Sequence, residues 1–398
     1  MMVAPKLRFK ADDGCDFPDW EDKTLGELFH ISAGGDIDKN NCAAKQSEDY
    51  PYPVYANALV NNGTYGYANY YKIDGDTFTV TGRGDVGHAV ARHCMYVPIV
   101  RLLVCQPNMD DDVDFFAEQI NHTRVFIEST GVPQLTAPQL SKIKVRRPTL
   151  PEQRKIADLL SAVDAVIAAQ QAEVDAWEQR KKGVMQKLFS QEVRFKADDG
   201  SEFPKWEEKT LGEEGQFYGG LSGKGKDDFD CGNGRFVTYM NVYKNTFASR
   251  DAMGRVKVGD AEKQNKVRYG DILFTQSSET VDEVGLSSVY LYNDEPYLNS
   301  FCMGYRFNNL DNVCPEFIGY CMRSNEIRKS IMLMGQGISR INLGAKRLAT
   351  VKYKIPSLPE QRKIADCLSS MDEVIQKAKD ELAKWRELKK GLLQQMFV

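Results

Sequence analysis

The sequence predicts an α+β protein built as a tandem repeat, in which two different α/β domains are joined by two long antiparallel coiled-coil helices with pseudo-two-fold symmetry. Two repeated segments, and the heptads that follow one of them, predict this class. Residues 150–167, LPEQRKIADLLSAVDAVI, return as LPEQRKIADCLSSMDEVI at residues 358–375. Residues 7–27, LRFKADDGCDFPDWEDKTLGE, return as VRFKADDGSEFPKWEEKTLGE at residues 193–213. The stretches between the matched ends differ, which indicates two variable domains in one duplicated frame.

The repeats divide the chain into five predicted segments. They are an N-terminal segment at 1–17, a first variable domain at 18–148, a first helix at 149–192, a leading segment with the second variable domain at 193–356, and a second helix at 357–398. At 398 residues the chain is too long for one hydrophobic core, so two or three domains are expected. Within the variable domains we expect strands near 78–98, 236–242 and 271–276, and helices near 110–120 and 315–332.

Each LPEQ segment begins a helix whose apolar residues recur at steps of four and three, the heptad pattern of a coiled coil. The pattern continues to Leu188 and Met396, so each helix is expected to be roughly 60 Å long at about 1.5 Å per residue. So long a helix needs a partner, and the other copy is the expected one; the alternative is burial of each helix against its own domain. The predicted interface residues are Ile156, Leu160, Val163, Ile167, Val174, Trp177, Ile364, Leu368, Met371, Ile375, Leu382 and Trp385.

Polar residues at the start and near the end of each helix carry further expectations. A hydroxyl followed three residues later by Glu predicts a capping box, in which the two side chains satisfy free backbone donors. The expected boxes are Thr149 with Glu152 and Ser357 with Glu360. Lys181 and Lys389 interrupt the apolar seam, and we expect their stems to lie along the partner helix with the ammonium groups in water.

Composition excludes several classes of protein. No apolar run reaches membrane-spanning length and the N-terminus lacks a signal-peptide core, so we expect a cytoplasmic protein with no membrane contact. Nine cysteines without a CxxC pair and only four histidines give no zinc-ligand spacing. A net charge of −4 argues against a protein that coats nucleic acid indiscriminately.

Catalytic motifs are absent from the sequence. Gly82-x-Gly84-x-x-Gly87 matches the dinucleotide-binding fingerprint in letters, but a helix must follow it, and residues 88–97 read as a strand. No HExxH or GxSxG pattern occurs. We therefore predict no catalytic, cofactor-binding or metal-binding residues in this chain.

Basic residues gather where each variable domain meets its helix, in SKIKVRRPTLPEQRK and AKRLATVKYKIPSLPEQRK. Their cations could contact phosphates without reading sequence, or they could form a solvated collar. The two interpretations stand equal. In the same way, the Gly- and Asn-rich residues 57–71 predict either a surface loop with hairpin turns or a nucleic-acid contact.

Over its whole length the chain resembles the specificity subunit of type I restriction-modification systems. The resemblance lies in the two LPEQRKIAD helices, the FPxWxxKTLGE segments at 17–27 and 203–213, and the pairs Gly131-Val132 and Gly337-Ile338. It implies that each variable domain recognises one half of an asymmetric bipartite site in double-stranded DNA. It further implies that the helices set the spacing and bind methyltransferase subunits, and that restriction subunits join this core. S-adenosylmethionine, ATP and Mg²⁺ then belong to the partner subunits, and the chain itself is not an enzyme.

The residues that read bases do not follow from the resemblance, so we select them by chemistry. Loop Arg, Lys, Asn and Gln side chains can reach base edges or phosphates, and Tyr can stack, although hairpin packing explains the tyrosines equally well. The expected DNA-binding residues are Asn57, Tyr65, Tyr67, Arg83, Gln134, Lys144, Arg146, Arg147, Lys224, Lys226, Gln276, Arg340, Lys352 and Lys354.

Two other functions remain open from the sequence. One is a coiled-coil adaptor whose domains bind protein or glycan instead of DNA. The other is a nucleotide-dependent enzyme built on residues 82–87.

Overall fold

The computed structural model describes residues 5–123, 134–259 and 261–397. The chain forms two compact units, Met1–Gln171 with Asp380–Val398 and Ala172–Lys379. Each unit contains one variable domain, the beginning of the helix that follows that domain, and the end of the other long helix. We call the variable domains head 1 (residues 18–148) and head 2 (residues 204–356).

Head 1 combines short strands with short helices, as expected. In chain order its elements are β1 (Glu21–Thr24), α1 (Leu25–Leu28), β2 (Phe29–Ala33), β3 (Cys42–Ala43), β4 (Tyr52–Tyr55), β5 (Thr64–Ala68), β6 (Thr77–Thr81), β7 (Ala89–Arg92), β8 (Val97–Pro98), β9 (Leu102–Pro107), α2 (Val113–His122), α3 (Ala137–Ser141) and β10 (Lys144–Arg147), followed by the long helix α4 (Leu150–Phe189). Its sheets have the orders β2-β9-β6-β7 and β3-β5-β4-β8, and β1 pairs with β10.

Head 2 has more elements around the same central sheet. In chain order they are β11 (Glu207–Thr210), α5 (Leu211–Glu214), β12 (Gly215–Gly219), β13 (Phe229–Val237), α6 (Tyr239–Lys244), β14 (Met253–Val256), β15 (Ile272–Thr275), β16 (Ser277–Ser278), β17 (Ser287–Val289), β18 (Tyr297–Leu298), β19 (Cys302–Phe307), α7 (Pro315–Met322), α8 (Asn325–Leu333), β20 (Ile341–Asn342), α9 (Ala345–Leu348) and β21 (Lys352–Ile355), followed by the long helix α10 (Leu358–Met396). The sheet β12-β19-β15-β17 repeats the order of β2-β9-β6-β7, and β11 pairs with β21 as β1 does with β10.

Two sequence-based boundaries in head 2 were wrong. The strand expected at residues 236–242 ends at Val237, because the Thr238 hydroxyl accepts a hydrogen bond from Asn241 N (3.2 Å) and begins α6. The helix expected at 315–332 breaks after Met322, where Arg323 and Ser324 separate α7 from α8. Helix α6 forms one side of a cleft in this head.

The beginning of each long helix lies in the core of its own unit, beside the end of the other helix. In the first unit, Ile156 and Leu160 of α4 share one hydrophobic core with Phe115 of α2 and with Met396 of α10. Phe397 also packs on Phe115, with ring centroids 5.4 Å apart. In the second unit, Leu188 and Phe189 of α4 share a core with Ile364 and Leu368 of α10. Within each unit the two helices are therefore antiparallel, and their first turns pack on the head as well.

Most of the predicted interface residues are withdrawn from water. The buried ones are Ile156, Leu160, Val163, Val174, Ile364, Leu368, Ile375 and Leu382, and the half-buried ones are Ile167, Trp177, Met371 and Trp385. Lys181 and Lys389, however, do not keep their ammonium groups in water. Lys181 Nζ lies 2.5 Å from Asp372 of α10, and Lys389 Nζ contacts Asp164 of α4 (2.8 Å) and Glu118 of α2 (3.0 Å). These two lysines form ion pairs between the helices.

The predicted capping boxes do not form. Within the described residues, the hydroxyl oxygens of Thr149 and Ser357 have no hydrogen-bond partner. Glu152 is fully buried instead, and its carboxylate accepts from Arg8 Nε (3.0 Å), Arg8 Nη2 (2.8 Å) and Trp20 Nε1 (3.0 Å). A buried carboxylate needs a cation and several donors, and the two-pronged guanidinium provides both. We call this arrangement the carboxylate clamp.

The clamp is duplicated in the second unit. Glu360 accepts from Arg194 Nε (3.0 Å), Arg194 Nη2 (2.6 Å) and Trp206 Nε1 (3.2 Å). The next residue of each LPEQ motif ties the helix to its head. Gln153 accepts from Asp112 N (2.8 Å) where α2 begins, and Gln361 accepts from Cys314 N (2.8 Å) where α7 begins. The repeated letters E and Q therefore fasten the leading segment and the head to the start of the long helix.

We predict that Glu152→Ala destabilises the first unit by about 3 kcal/mol, because it leaves Arg8 without its carboxylate partner. Hydrogen exchange, followed by mass spectrometry, should show faster exchange in residues 5–123 with residues 194–356 unchanged. The matched variant Glu360→Ala should give the reverse pattern. Lys10→Ala, which removes an exposed pair with Asp16, should change neither region, since such pairs contribute about 0–1 kcal/mol. Equal effects of Glu152→Ala and Lys10→Ala would contradict the clamp.

Candidate nucleic-acid interface

The turn between β6 and β7 of head 1 carries the glycines that resemble a nucleotide-binding fingerprint. The segment after them is the strand β7, as the sequence indicated, so the helix that the fingerprint requires is missing. A Cβ on Gly82 would lie 2.6 Å from Arg101 O and 2.9 Å from Leu135 O. Gly82 is therefore explained by close backbone packing, and this turn does not support a nucleotide-dependent enzyme.

Arg83 and Gln134 are brought together at this turn. They face each other in an antiparallel bridge, and Leu135 N donates to Gly82 O (2.8 Å) beside them. Both side chains are exposed, and neither has a hydrogen bond or ion pair within the described ranges. A free guanidinium and a free carboxamide can read the major-groove edges of guanine and adenine. The pair Gly131-Val132, which precedes Gln134 in the chain, lies outside the described residues.

Asn57 lies at the same place but has a different role from the one expected. Its Oδ1 accepts from Gly82 N (2.6 Å) and Arg83 N (3.2 Å), and its Nδ2 donates to Arg83 O. The carboxamide is thus used to hold the backbone that presents Arg83. Asn57 could read a base only by releasing this turn, so we assign it to positioning.

The 57–71 segment is held by a cation that sequence analysis missed. Arg92 of β7 is buried, stacks 3.7 Å from the centroid of the Tyr55 ring, and donates to Asn62 O (2.6 Å) and Thr79 Oγ1 (3.1 Å). Burial lowers the pKa of this guanidinium. The sequence did not indicate that Arg92 is buried, because an arginine at the end of a strand is usually exposed. Arg92 supports the Asn62 turn, which precedes β5.

The two tyrosines expected to contact DNA both lie on β5. Tyr65 is 59% exposed and Tyr67 is half-buried. The pairing of β4 with β5 shifts register between Val54 and Tyr55, which leaves Tyr65 as an extra residue on β5 and interrupts the alternation of side chains there. The stacking and hairpin interpretations both remain compatible with the exposure of the two tyrosines.

Head 2 has the same backbone arrangement with different side chains. Leu343 N donates to Gln276 O (2.9 Å), as Leu135 N does to Gly82 O, and Ser277 of β16 pairs with Asn342 of β20. Gln276 is exposed at the beginning of this turn, and Arg340 is exposed just before β20. The turn that follows β15 runs to β17 and is longer than its counterpart between β6 and β7. The expected correspondence of residues 79–87 with 273–285 is thus present in the fold.

Arg340 is presented by a tight turn that requires Gly337. Gly337 has a φ of +134°, and a Cβ there would lie 1.8 Å from Arg340 O. The turn is closed by Gln336 N donating to Asn342 O (3.0 Å) and Asn342 N donating to Gln336 O (2.7 Å). Any side chain at position 337 would force Arg340 away from its place.

Three basic side chains of the two junctions lie beside carboxylates of the protein. Arg147 Nε bonds to the buried Asp111 (2.8 Å), Arg146 Nε lies 3.5 Å from Asp22, and Lys352 Nζ lies 2.8 Å from Glu208. The acidic strands β1 and β11 lie in register with β10 and β21, so each basic strand has carboxylates beside it. The bond to Asp111 gives Arg147 a structural role, and its expected contact with DNA stays a prediction. Only the side chains of Lys144 and Lys354 in these strands are exposed without an ion pair among the described residues.

The loop lysines of head 2 differ from each other. Lys224 is 5% exposed and pairs with Glu262, and its hydrogen bond lowers the pKa of that carboxyl to about 2. The expected DNA contact of Lys224 stays a prediction, and it would require this ion pair to open. Lys226 is exposed in a 3₁₀ turn, Lys226–Asp228, and keeps its ammonium group available.

The described residues contain neither a metal site nor a membrane-spanning helix. No group of three or more His, Cys, Asp or Glu side chains in those ranges could hold a metal ion. None of the helices described there is long and apolar enough to cross a membrane. His93 contacts the carboxylates of Asp76 and Asp114 at 2.9 Å each. Neither contact involves a Ser, Thr or Cys side chain that could act as a nucleophile.

Comparison with known proteins identifies the family. A family model, Type I restriction modification DNA specificity domain, matches residues 18–176 and 204–384. The type I restriction enzyme MjaVIII specificity subunit of Methanocaldococcus jannaschii is 24% identical over 308 residues, which are 72% of this chain and 69% of that protein.

Two solved structures share the fold over nearly their whole length. The S subunit of the type I restriction-modification system of M. genitalium superposes with a TM-score of 0.61 at 16% identity, covering 100% of this chain and 99% of that one. A chain from a study of complex assembly and conformational transition in the type I system gives a TM-score of 0.57 at 16% identity, covering 96% and 98%. The two matched domains favour DNA recognition over an adaptor for protein or glycan. The chain belongs to the type I restriction-modification DNA specificity family.

Proposed function

We propose that this chain is the non-catalytic subunit that selects the DNA sequence for a type I restriction-modification complex, with each head reading one half of an asymmetric bipartite site. One observation carries the proposal. The backbone bonds Leu135 N to Gly82 O and Leu343 N to Gln276 O place two equivalent turns on two copies of one frame. One turn exposes Arg83 and Gln134, whereas the other exposes Gln276 and Arg340. Two turns held by the same backbone bond but carrying unlike side chains suit two readers of different sequences.

In this proposal, partner subunits carry out methylation and cleavage of the DNA. The methyltransferase and restriction subunits would bring S-adenosylmethionine, ATP and Mg²⁺, while this chain supplies sequence selection. The long helices α4 and α10 offer exposed charged faces along 40 and 39 residues, respectively. We assign those faces to binding of the methyltransferase subunits, which is the role that the resemblance of the LPEQRKIAD helices implies.

The first test is sequencing of N6-methyladenine in a host that expresses this chain with its neighbouring methyltransferase. We predict a bipartite motif with a fixed gap that disappears when the chain is deleted. A stable complex with active methyltransferase but no motif would refute the proposed function.

A second prediction distinguishes a side chain of head 1 that reads a base from one that stabilises the fold. Arg83→Ala should relax one position of one half-site, because a bidentate arginine contributes about 1–3 kcal/mol of discrimination between bases. Arg147→Ala is the matched control, since its guanidinium bonds Asp111 inside the head. It should lower the melting temperature of the chain and leave the motif unchanged. The assignment fails if the two variants alter the motif equally.

A third prediction concerns the spacing of the half-sites. Inserting one heptad into each of α4 and α10 lengthens each helix by roughly 10 Å at about 1.5 Å per residue. We expect the gap between half-sites to grow by a few base pairs while both half-sites stay the same. Insertions of two residues serve as a control, because they turn the apolar seam by roughly 200° away from the partner helix and should reduce methylation instead. An unchanged gap with full methylation would show that the helices do not set the spacing.

A further inference from the structure

Head 2 contains an open cleft beside its reading turn. Its volume is about 400 Å³, and it is lined by Tyr239, Met240, Tyr243, Ser277, Ser278, Glu279, Glu283, Phe301 and Arg340. Helix α6 supplies the aromatic wall, β16 and the turn after it supply the floor, and Arg340 stands at the rim. The cleft therefore adjoins the position that corresponds to Arg83 and Gln134 in head 1.

The walls of the cleft are fixed by hydrogen bonds. Tyr239 OH donates to Ser277 O (2.8 Å) and Tyr243 OH donates to Glu283 Oε1 (2.9 Å), while the two rings stack 6.3 Å apart at 16°. Arg323 donates to the carbonyls of Val242, Tyr243 and Asn245 at 2.9–3.0 Å and so holds the end of α6. A cleft with fixed walls loses little entropy when a ligand enters it.

Two side chains of opposite charge in the cleft have no ion-pair partner among the described residues. Glu279 and Arg340 are both exposed, and neither side chain has a hydrogen bond or ion pair with any described residue, including each other. The other carboxylate, Glu283, is occupied by Tyr243. Two exposed apolar side chains, Met240 (48%) and Phe301 (55%), complete the mouth. The cleft thus offers one acceptor, one two-pronged donor and apolar contact surface.

This combination fits a base pair better than a phosphate. A phosphate would be repelled by Glu279, whereas an exocyclic amino group would be attracted to it. In the major groove, cytosine presents its N4 amino donor and guanine presents the O6 and N7 acceptors, which carboxylate and guanidinium recognise, respectively. An A·T pair also presents an amino group, but it lacks the two neighbouring acceptors that suit arginine.

Building on the proposed function, we propose that Glu279 and Arg340 read one C·G base pair in the half-site of head 2. Glu279 accepts from the cytosine N4 amino group, and Arg340 donates to guanine O6 and N7. Glu279 disfavours any pair that sets an acceptor against its carboxylate, and Arg340 disfavours A·T, which lacks the two neighbouring acceptors of guanine. Gly337 contributes by keeping Arg340 at the rim.

The test compares methylation motifs of the assembled complex carrying the wild-type chain, Glu279→Gln, Arg340→Ala or the control Asp311→Asn. Asp311 is exposed before α7, outside the cleft. We expect both cleft variants to lose at least about tenfold of their preference at the same C·G position. The other half-site and the Asp311→Asn motif should match the wild type. Binding of the same complexes to duplexes carrying each of the four base pairs at that position gives a second readout.

The outcomes separate this inference from the function on which it rests. Absence of any motif with the wild-type chain counts against the proposed function itself. A wild-type motif without a C·G pair in the half-site of head 2 overturns the inference alone. So does a motif that survives both cleft variants, or one in which the two variants affect different positions. Thermal unfolding of each variant shows whether a lost motif reflects a lost fold.

Discussion

A buried carboxylate at the start of each long helix is the interaction on which both units depend. Burial of a carboxylate costs free energy unless it is paired and hydrogen-bonded; Arg8 and Trp20 supply these partners to Glu152, and Arg194 and Trp206 supply them to Glu360. The leading segment, the head and the helix are consequently held at one point. None of these contacts involves the turns that differ between the heads, so the position of a head on its helix is independent of what that head reads.

The duplicated frame and the helical seam could be predicted because both leave a pattern in the letters. Identical segments imply identical local structure, and an apolar period of three and four is particular to a helix with a long partner. The turn correspondence of residues 79–87 with 273–285 followed from the same alignment. The structure adds that the repeated Glu and Gln are retained for tertiary contacts, which explains why those letters recur.

The errors arose wherever a local pattern competed with a distant partner. The sequence Thr-x-x-Glu suits a capping box, but Arg8, more than 140 residues away, offers the carboxylate a stronger contact. Clusters of basic letters suggested a surface for phosphate, yet strand register set carboxylates beside them. Asn57, Lys224 and Arg147 have suitable side chains for DNA, but they are occupied by the protein itself. Sequence indicates what a side chain can do, and only the fold shows whether it is free.

The last turns of α10 have a consequence for synthesis of the chain. Met396 is buried in the core of head 1, Phe397 packs on Phe115, and Gln395 O accepts from the backbone of Lys6 and Leu7. These residues leave the ribosome only after head 2 has been translated. Part of the apolar surface of head 1 therefore stays exposed to water while more than 200 further residues are translated. Folding of the first unit is therefore completed only after the second head has been made.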